Sequence, residues 1–208
     1  MFKEIPASPT RIAKRKLICG VGVNDALYQP SITIKGKYRT CPFYIIWRGI
    51  IYRCYGKKTK ANYPTYTDCT VEKSWLYFSN FKKWASTQNW MGNELDKDIL
   101  IPGNKQYGPN TCLFVPPAIN RLLNKNTKRR GKYPLGVSKI TSHGHSAYHA
   151  TCCFFGKQTK IGQFQSIDLA EQAYIKAKCQ HIRKVAGTVT DPRLKTALIS
   201  HIARYNGN

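Results

Sequence analysis

The feature that most constrains this chain is its positive charge. Its 208 residues include 34 Lys and Arg against 10 Asp and Glu, which gives a formal net charge of +24. Self-repulsion of this size opposes compaction, so a folded state needs a hydrophobic core that outweighs it. A hydrophobic fraction of 42% supplies such a core and excludes a disordered polycation. A surface this basic favours a polyanionic partner: nucleic acid, an acidic membrane or an acidic protein.

A membrane partner is the easiest of these to test. No apolar run approaches the roughly 20 residues that a membrane-spanning helix needs, and the longest such stretch, 45–51, contains an arginine and a glycine. The start of the chain is basic but lacks the apolar core of a signal peptide. We therefore expect a soluble, cytoplasmic protein without a membrane partner. Its eight cysteines are then thiols or metal ligands rather than disulfides.

The positive charge is spread over the whole chain. Residues 1–120 carry 18 basic and 7 acidic side chains, and residues 121–208 carry 16 and 3, so the two parts have net charges of +11 and +13. The segment 124–132 is polar and contains five cations. This composition predicts an exposed basic linker at 124–132 between a first domain at 1–123 and a second domain at 133–208. A single basic tail on an ordinary domain is excluded.

Hydrophobic periodicity predicts a mixed α+β fold that begins with a small first domain. Apolar residues recur there at the spacing of a helix, and later at that of short strands. The predicted elements are a helix from Pro42, a loop at 56–68, a helix at 71–87, strands at 95–101 and 112–115, and a helix at 118–124. The first domain therefore ends in the order β-β-α.

The second domain is predicted to be a three-stranded antiparallel sheet packed on a helix, with a further C-terminal helix. The predicted elements are strands at 135–140, 147–155 and 158–164, a helix capped by Ser166, and a helix from Asp191. Side chains alternate between the faces of a strand, so a helix over Ala150 leaves the opposite face free. That free face shows His149, Thr151, Gln158 and Lys160. Such donors and acceptors can read base edges in a DNA major groove, and a solvated polar face is the alternative.

Several short motifs of the second domain resemble the Apetala/ethylene-response-factor DNA-binding domain. They are Gly136-Val137-Ser138, Tyr148-His149-Ala150, Gly156-Lys157, Lys160-Ile161-Gly162-Gln163-Phe164 and Glu171-Gln172-Ala173-Tyr174. The resemblance implies a three-stranded sheet that lies in the major groove. The positions that it implies as base-facing are Ser138, His149, Thr151, Gln158 and Lys160. The arginines and tryptophans that the family carries on this face are mostly missing, so the resemblance does not imply which bases are read.

The first domain offers oxygen ligands but no histidine. All five histidines follow residue 140, which excludes a His general base or a His-ligated metal within the first domain. Asp96 and Asp98 alternate on the predicted strand and share a face, and an Asn on the following helix completes an oxygen-rich set for Mg²⁺. Cleavage of a phosphodiester needs such a metal on the phosphate and a base for the attacking water. Acidic residues that solvate a β turn are the alternative.

The same stretch resembles the HNH, or ββα-metal, nucleases that accompany this kind of DNA-binding domain in phage homing endonucleases. In that motif an Asp-His pair ends the first strand, an Asn lies in the loop, and an Asn or His lies on the helix. Asp96-Lys97, Asn110 and Asn120 stand at those places, and the wider similarity covers most of 19–123. The resemblance implies Asp96 and Asn120 as ligands of Mg²⁺ or Mn²⁺, and Asn110 as the residue that orients the base. A phage-encoded chain would act in the host-cell cytoplasm.

Lys97 departs from that motif, because it stands where the general-base His is expected. A lysine is cationic at neutral pH unless burial or nearby cations depress its pKa. It can stabilise charge on a phosphate, but a cationic lysine is a poor base. Asp98, the next residue, is the other candidate for a base or a second metal ligand. The catalytic candidates are therefore Lys97, Asp98 and Asn110.

Cysteine and histidine positions raise two zinc hypotheses. The candidate ligands of a structural zinc in the first domain are Cys41, Cys54, Cys69 and Cys112. Their spacings are irregular for zinc, and buried free thiols are the commoner outcome. His145 and His149 share a strand face and His143 lies close in sequence, but no acidic or Cys partner stands at ligand spacing. Loop-tip and DNA-facing histidines are the alternative there.

Together these features predict a metal-dependent, site-specific endonuclease that nicks double-stranded DNA or cuts both strands. The second domain locates the site, the first domain cleaves it, and the linker cations Lys128, Arg129 and Arg130 follow the DNA backbone. A catalytically decayed nuclease that acts as a sequence-specific DNA-binding protein is the first alternative. An RNA-binding protein is the second. The sequence leaves the oligomeric state open.

Overall fold

The computed structural model describes residues 2–123, 132–142 and 145–206. The chain divides into two compact units, Met1–Phe114 and Val115–Asn208. Helices and strands both occur, and one sheet has three antiparallel strands, so the predicted α+β class is confirmed. The predicted linker, with Lys128, Arg129 and Arg130, lies outside the described residues except for Lys132.

The first unit contains short helices and three two-stranded sheets among the described residues. In chain order its elements are α1 (Pro9–Ala13), β1 (Ser31–Ile34), β2 (Lys37–Thr40), α2 (Pro42–Tyr55), α3 (Lys57–Asn62), β3 (Thr70–Val71), α4 (Phe78–Ser86), β4 (Glu94–Asp96), β5 (Gln106–Tyr107) and β6 (Leu113–Val115). The last residue of β6 belongs to the second unit. β1 and β2 form an antiparallel hairpin, β3 pairs in parallel with β5, and β4 pairs with β6.

The core of the first unit is aromatic and lies between α2 and α4. Pro42 starts α2 as predicted, at a position where its missing N–H costs nothing. The buried residues of the two helices are Trp47, Ile50, Ile51 and Cys54 in α2 and Phe78, Phe81 and Ala85 in α4. The indole N–H of Trp47 donates a hydrogen bond to the carbonyl oxygen of Trp75 at 2.8 Å, so this buried polar group is satisfied.

The helix predicted at 71–87 is wrong in its first half, because Lys73–Leu76 forms a separate 3₁₀ turn and α4 begins only at Phe78. Tyr77 is extended, at φ −94° and ψ 126°. The residues on either side of it are held by Val23, whose N–H donates to the carbonyl of Leu76 at 2.8 Å and whose carbonyl accepts from the N–H of Phe78 at 3.0 Å. A tertiary contact thus straightens the chain where the hydrophobic pattern alone continues the helix.

The loop predicted at 56–68 is also partly wrong, because it contains α3 and a 3₁₀ turn at Pro64–Tyr66. Gly56 ends α2 and immediately precedes α3. A Cβ atom at this position would lie 2.6 Å from the carbonyl oxygen of Tyr52. Only glycine therefore allows so tight a change of direction between the two helices.

The second unit contains the predicted sheet and helices. In chain order its elements after β6 are α5 (Pro117–Leu123), β7 (Val137–Ser142), β8 (His145–Phe154), β9 (Lys157–Phe164), α6 (Ile167–Thr188) and α7 (Pro192–Asn206). The last three strands form an antiparallel sheet in the order β7-β8-β9, and α6 packs on this sheet. The hydroxyl of Ser166 accepts a hydrogen bond from the N–H of Leu169 at 3.2 Å, which confirms the predicted cap of α6.

Small residues bring α6 close to one face of the sheet. Ala150 of β8 and Ala170 of α6 are buried together with Tyr174. Gly136, just before β7, has φ +79°, and a Cβ atom there would lie 2.2 Å from Cδ2 of Tyr174. Both its conformation and the space beside it require glycine. The helix thus covers this face of the sheet, and the residues of the opposite face are exposed or half-buried.

Candidate nucleic-acid interface and candidate metal centre

The face of the sheet opposite α6 carries the predicted base-reading residues in cross-strand rows. Directly opposed residues of antiparallel strands lie on the same face. The rows are Ser138 with His149 and Gln163, Thr151 with Lys160, and Cys153 with Gln158. Along these rows some side chains are exposed and others are half-buried. The structure thus brings all five sequence-predicted residues together on one surface, which we call the reading face.

Two hydrogen bonds link side chains on the reading face. Nε2 of His149 lies 3.2 Å from Oε1 of Gln163. Because an amide oxygen only accepts, His149 Nε2 carries the hydrogen in this contact. Nε2 of Gln158 donates to Oγ1 of Thr151 at 2.9 Å. These bonds hold four polar side chains in place before a ligand arrives, which lowers the entropy cost of binding.

Gln163 is the residue of the reading face that sequence analysis missed. Strict alternation places Phe164, not Gln163, on the side of Lys160. A β-bulge adds one residue, Ile161, to β9 and shifts the alternation beyond it by one position. Phe164 therefore packs on the helix side. Gly162 was the available signal, because a glycine inside a strand often marks a bulge.

The candidate metal centre of the first unit is built on a turn rather than on a strand. β4 ends at Asp96, whose Oδ1 accepts hydrogen bonds from the backbone N–H groups of Asp98 at 2.8 Å and Ile99 at 2.7 Å. Asp98 lies in the resulting turn, so the prediction that Asp96 and Asp98 alternate on a strand over 95–101 is wrong. The physical reason is that an Asp side chain competes with strand pairing when it bonds backbone N–H groups just ahead of it.

The carboxylates of Asp96 and Asp98 nevertheless influence each other. Burial and then the charge of Asp98 raise the pKa of Asp96, whereas the two backbone hydrogen bonds lower it. The Asp98 side chain is 48% exposed. A divalent cation would relieve the repulsion between two such carboxylates, and carboxylate oxygen is a ligand that Mg²⁺ prefers. The chemistry of this pair therefore fits the predicted Mg²⁺ or Mn²⁺.

Lys97 is buried, at 8% exposure, and its ammonium group is already engaged. Nζ donates to Oδ2 of Asp98 at 3.2 Å and to the carbonyl oxygen of Asn104 at 3.0 Å. It also lies 5.9 Å from the ring centroid of Tyr107. The ammonium is a donor in both hydrogen bonds, and an ammonium has no lone pair to accept a proton. In this arrangement Lys97 joins Asp98 to the backbone of Asn104, and its catalytic role stays a prediction.

Asn104 has a positioning role that sequence analysis did not assign. Its Nδ2 donates to the carbonyl oxygens of Lys97 at 2.6 Å and Gln106 at 2.7 Å, and its Oδ1 accepts from the N–H of Gln106 at 3.1 Å. The side chain thus joins the two ends of the loop that begins at Lys97. The available signal was the dipeptide Gly103-Asn104, because Gly and Asn are typical of turns.

Asn110 and Asn120 complete the predicted nuclease set. Asn110 is exposed in the turn that precedes β6, and Asn120 is half-buried in α5. α5 belongs to the second unit and Asp96 to the first, so the role of Asn120 as a metal ligand stays a prediction, as does the role of Asn110. Within 2–123, 132–142 and 145–206, no three His, Cys, Asp or Glu side chains form a group that could hold a metal.

The four cysteines considered for zinc lie in the core of the first unit. Cys41, Cys54, Cys69 and Cys112 are each at most 2% exposed. Burial raises the pKa of Cys54 and of Cys112 to about 12, which opposes the thiolate form that binds zinc. The Cys69 thiol donates instead to the carbonyl of Thr65, at 3.8 Å. The four cysteines are thus buried thiols in the first unit, and a structural zinc stays a prediction.

The histidines considered for zinc are divided between the sheet and a segment that is not described. His145 is exposed at the start of β8, and His149 contacts Gln163 on the reading face. His143 lies outside the described residues. His149 is thus held by an amide on the reading face, and both its DNA-facing role and the zinc hypothesis stay predictions.

Searches of protein-family models, of curated proteins and of solved structures found no match to this chain. In the part of the chain that the structure describes, no helix combines the length and the apolar character needed to cross a membrane.

Proposed function

We propose that this protein is a metal-dependent, site-specific endonuclease of double-stranded DNA. The observation that carries the proposal is the reading face, where polar side chains form cross-strand rows with α6 packed behind them. The DNA major groove, about 12 Å wide, admits such a narrow strand element and presents donors and acceptors that differ between base pairs. The net charge of +24 supplies the attraction to phosphates that brings the duplex to this face.

Each side chain of the reading face has a role that follows from its chemistry. Gln158 can bond the N6 and N7 atoms of an adenine, and Lys160 can bond the O6 and N7 atoms of a guanine. Thr151 and Ser138 offer hydroxyl groups to bases or phosphates. His149 presents its ring beside Gln163. The linker cations Lys128, Arg129 and Arg130 would contact phosphates and add affinity without sequence preference.

Sequence-specific binding can be tested by selecting bound duplexes from a random DNA pool and measuring Kd for the winners. We expect Gln158→Ala to lose discrimination at one base position by about 1–3 kcal/mol. Thr159→Ala is the matched control, because Thr159 lies on the same strand but on the opposite face. An unchanged preference in the Gln158 variant, or tighter binding of structured RNA than of duplex DNA, would contradict the proposal.

Cleavage is proposed to occur at Asp96 and Asp98. A bound Mg²⁺ or Mn²⁺ would polarise the scissile phosphate and stabilise the leaving 3′ oxygen. Oδ1 of Asp96 is committed to the turn, so Oδ2 is the atom left for the metal. Asn120 is the proposed further ligand. Asp98 suits proton acceptance from the attacking water better than Lys97, because its carboxylate is half exposed and the Lys97 ammonium already donates.

One observation favours a second function, sequence-specific DNA binding without cleavage. The ammonium of Lys97, 3.2 Å from Oδ2 of Asp98, neutralises one of the two carboxylates that the metal would need. A chain in which this ion pair persists would bind DNA through the reading face and leave it intact. Such a protein would serve as a regulator built on a decayed nuclease.

Nicking of a supercoiled plasmid that carries the selected site separates these two functions. We expect nicking with Mg²⁺ or Mn²⁺, none with EDTA, and a loss of about 100-fold or more in Asp96→Asn and Asp98→Asn. Asp68→Asn is the control, because Asp68 is an exposed carboxylate elsewhere in the first unit. Tight binding with no metal-dependent nicking would instead support the non-catalytic function.

We place the protein in the cytoplasm, or in the host-cell cytoplasm if it is phage-encoded. All eight cysteines are free thiols, and a reducing compartment keeps thiols in that state. If the protein is cytoplasmic, a membrane-impermeant thiol reagent added to intact cells would leave Cys153, the exposed cysteine, unmodified.

A further inference from the structure

We infer that the first unit carries a second DNA-contacting surface, which binds the phosphate backbone of the duplex beside the site that the reading face selects. This inference rests on the proposed DNA binding and extends it to a part of the chain without an assigned role. Residues 26–67 contain no Asp or Glu but eight Lys and Arg. We name their exposed part the basic face; its members are Lys35, Lys37, Tyr38, Arg39, Arg48, Tyr52, Lys57 and Lys58.

The β1–β2 hairpin forms one end of the basic face. Lys35 and Gly36 link its strands with φ values of +48° and +71°, the positive values that a tight two-residue hairpin turn requires. Ile32 is buried and anchors the hairpin to the unit, whereas every residue from 35 to 39 is exposed. Tyr38 is 70% exposed, which is high for an aromatic side chain that serves only the fold.

The outer side of α2 continues this surface. Ile45, Arg48 and Tyr52 are exposed at spacings of three and four residues, so they form one stripe along the helix. α2 begins two residues after β2 ends. Hydrogen bonds from Ser31 and Thr40, and then the nearby guanidinium of Arg48, lower the pKa of the Tyr38 phenol. Arg48 of the stripe therefore lies near Tyr38 of the hairpin.

The cations of the basic face are available to an external partner. Two further cations of the segment bond within the protein: Lys60 donates to the carbonyl of Thr67 at 2.8 Å, and Arg53 bonds Tyr107. The ion pairs found among the described residues involve Lys82, Lys97 and Arg193, and none involves a cation of the basic face. Six positive charges thus share a surface without a carboxylate to neutralise them.

Duplex DNA is the partner that this surface fits. α2 has 14 residues, so the face extends about 21 Å between the hairpin and α3 at 1.5 Å per residue. Duplex DNA carries one phosphate charge per roughly 1.7 Å of its axis, so that length meets many phosphates. Tyrosine hydroxyls, like those of Tyr38 and Tyr52, are common phosphate donors. The surface would position the duplex and carry no base preference.

The test is the salt dependence of Kd for Arg48→Gln/Lys57→Gln/Lys58→Gln, measured with the selected duplex and with an unrelated duplex. The matched control is Lys3→Gln/Lys73→Gln/Lys83→Gln, which removes the same charge from other exposed positions of the first unit. We expect the slope of log K against log salt to fall by about 2–3 in the basic-face variant. Its affinity should fall by about tenfold or more for both duplexes, and the control should change by less than about threefold.

The outcomes separate this inference from the proposed function. If wild-type protein binds duplex DNA and Gln158→Ala changes its preference, but the two triple variants behave alike, the second surface is wrong and the reading face stands. Loss of single-stranded DNA binding without loss of duplex binding would also overturn the inference. If wild-type protein does not bind duplex DNA, both proposals fail. All six substituted side chains are exposed, and equal melting temperatures would verify that the variants are folded.

Discussion

Lys97 and Asn104 exchange two hydrogen bonds: the ammonium of Lys97 donates to the carbonyl of Asn104 at 3.0 Å, and the amide of Asn104 donates to the carbonyl of Lys97 at 2.6 Å. This reciprocal pair closes the loop between the two residues. The lysine that stands at the expected position of a general-base histidine therefore has a structural partner of its own. We therefore expect replacement of Lys97 to lower the free energy of unfolding, whatever its effect on cleavage.

Lys97→Met should lower the free energy of unfolding by about 1–3 kcal/mol, because it leaves the half-buried Asn104 carbonyl without its charged donor. Lys83→Met, at an exposed position of α4, should change it by less than about 0.5 kcal/mol. Urea unfolding of the two variants at neutral pH measures the difference. Equal stability of the two would show that the reciprocal pair does not hold the loop.

Asp96→Ala should be less stable than Asp96→Asn by about 1–2 kcal/mol, a loss comparable to that of a helix cap. The reason is that an Asn side-chain oxygen can still accept from the backbone of Asp98 and Ile99, whereas an alanine leaves both N–H groups without this acceptor. Asp96→Asn should match or exceed wild-type stability near pH 7, because it removes a charge that burial, and then the charge of Asp98, disfavour in the folded protein. Thermal unfolding of the three proteins at one pH checks the order.

Gly136→Ala should destabilise the second unit by about 3 kcal/mol or more, because the new Cβ would lie 2.2 Å from Tyr174 at a positive φ. Gly156→Ala is the matched control: its φ is +84°, but no atom lies within 4 Å of the new Cβ. It should cost only about 1–2 kcal/mol of left-handed strain. Urea unfolding, followed by a signal from the second unit, would contradict the packing argument if both variants lost the same amount.

Stability should fall in mild acid because of His181. This side chain is 4% exposed, and neither ring nitrogen makes a normal hydrogen bond within the described part of the chain. Burial first, and then the ammonium of Lys178, lower the pKa of His181 in the folded protein, despite an opposing influence of the Cys153 backbone. The unfolded chain, with a pKa of about 6.5, therefore takes up a proton before the folded one does. The contribution of neutral His181 to the free energy of unfolding is therefore complete above about pH 6.5. It decreases as pH falls from there to the lower pKa that His181 has in the folded protein.

Urea unfolding at pH 7.5 and 5.5 measures this effect against His181→Leu. The variant should lose about 1 kcal/mol less than wild type between the two pH values. His145→Gln, at an exposed histidine, should retain the full wild-type pH dependence. Identical pH profiles for wild type and His181→Leu would exclude His181 as the cause.

Much of the second unit could be predicted from its sequence, because its elements are specified locally. Ser166 caps α6 with its own hydroxyl, and alternation along β8 correctly separates buried Cys152 from exposed Cys153. Side-chain period and caps depend on neighbouring residues, so the linear pattern contains them. The predicted alternation of side chains between the two faces is wrong only beyond Ile161, where a β-bulge adds one residue to β9.

For the candidate site of the first unit, sequence analysis could predict which residues take part but not how they are arranged. Composition and motif spacing selected Asp96, Lys97 and Asp98, but the strand assumed for them does not exist beyond Asp96. The Asp96 carboxylate instead accepts a hydrogen bond from the backbone N–H of Asp98, and the Lys97 ammonium donates to the carbonyl of Asn104. The hydrogen bonds of Lys97 depend on the position of Asn104, seven residues away at the end of the loop. Hydrophobic periodicity does not predict that position.

The sequence by itself determined the net charge of this protein, because net charge is a sum over its residues. It also determined the α+β class and the sheet and helix of the second unit, because amphipathic patterns depend on residues close together in sequence. The tertiary structure decided where the local patterns are interrupted. Val23 interrupts one predicted helix at Tyr77 from more than fifty positions away, and the buried Lys97 donates to the carbonyl of Asn104. Both result from hydrogen bonds that depend on how separate segments meet in the folded chain, which local propensity does not contain.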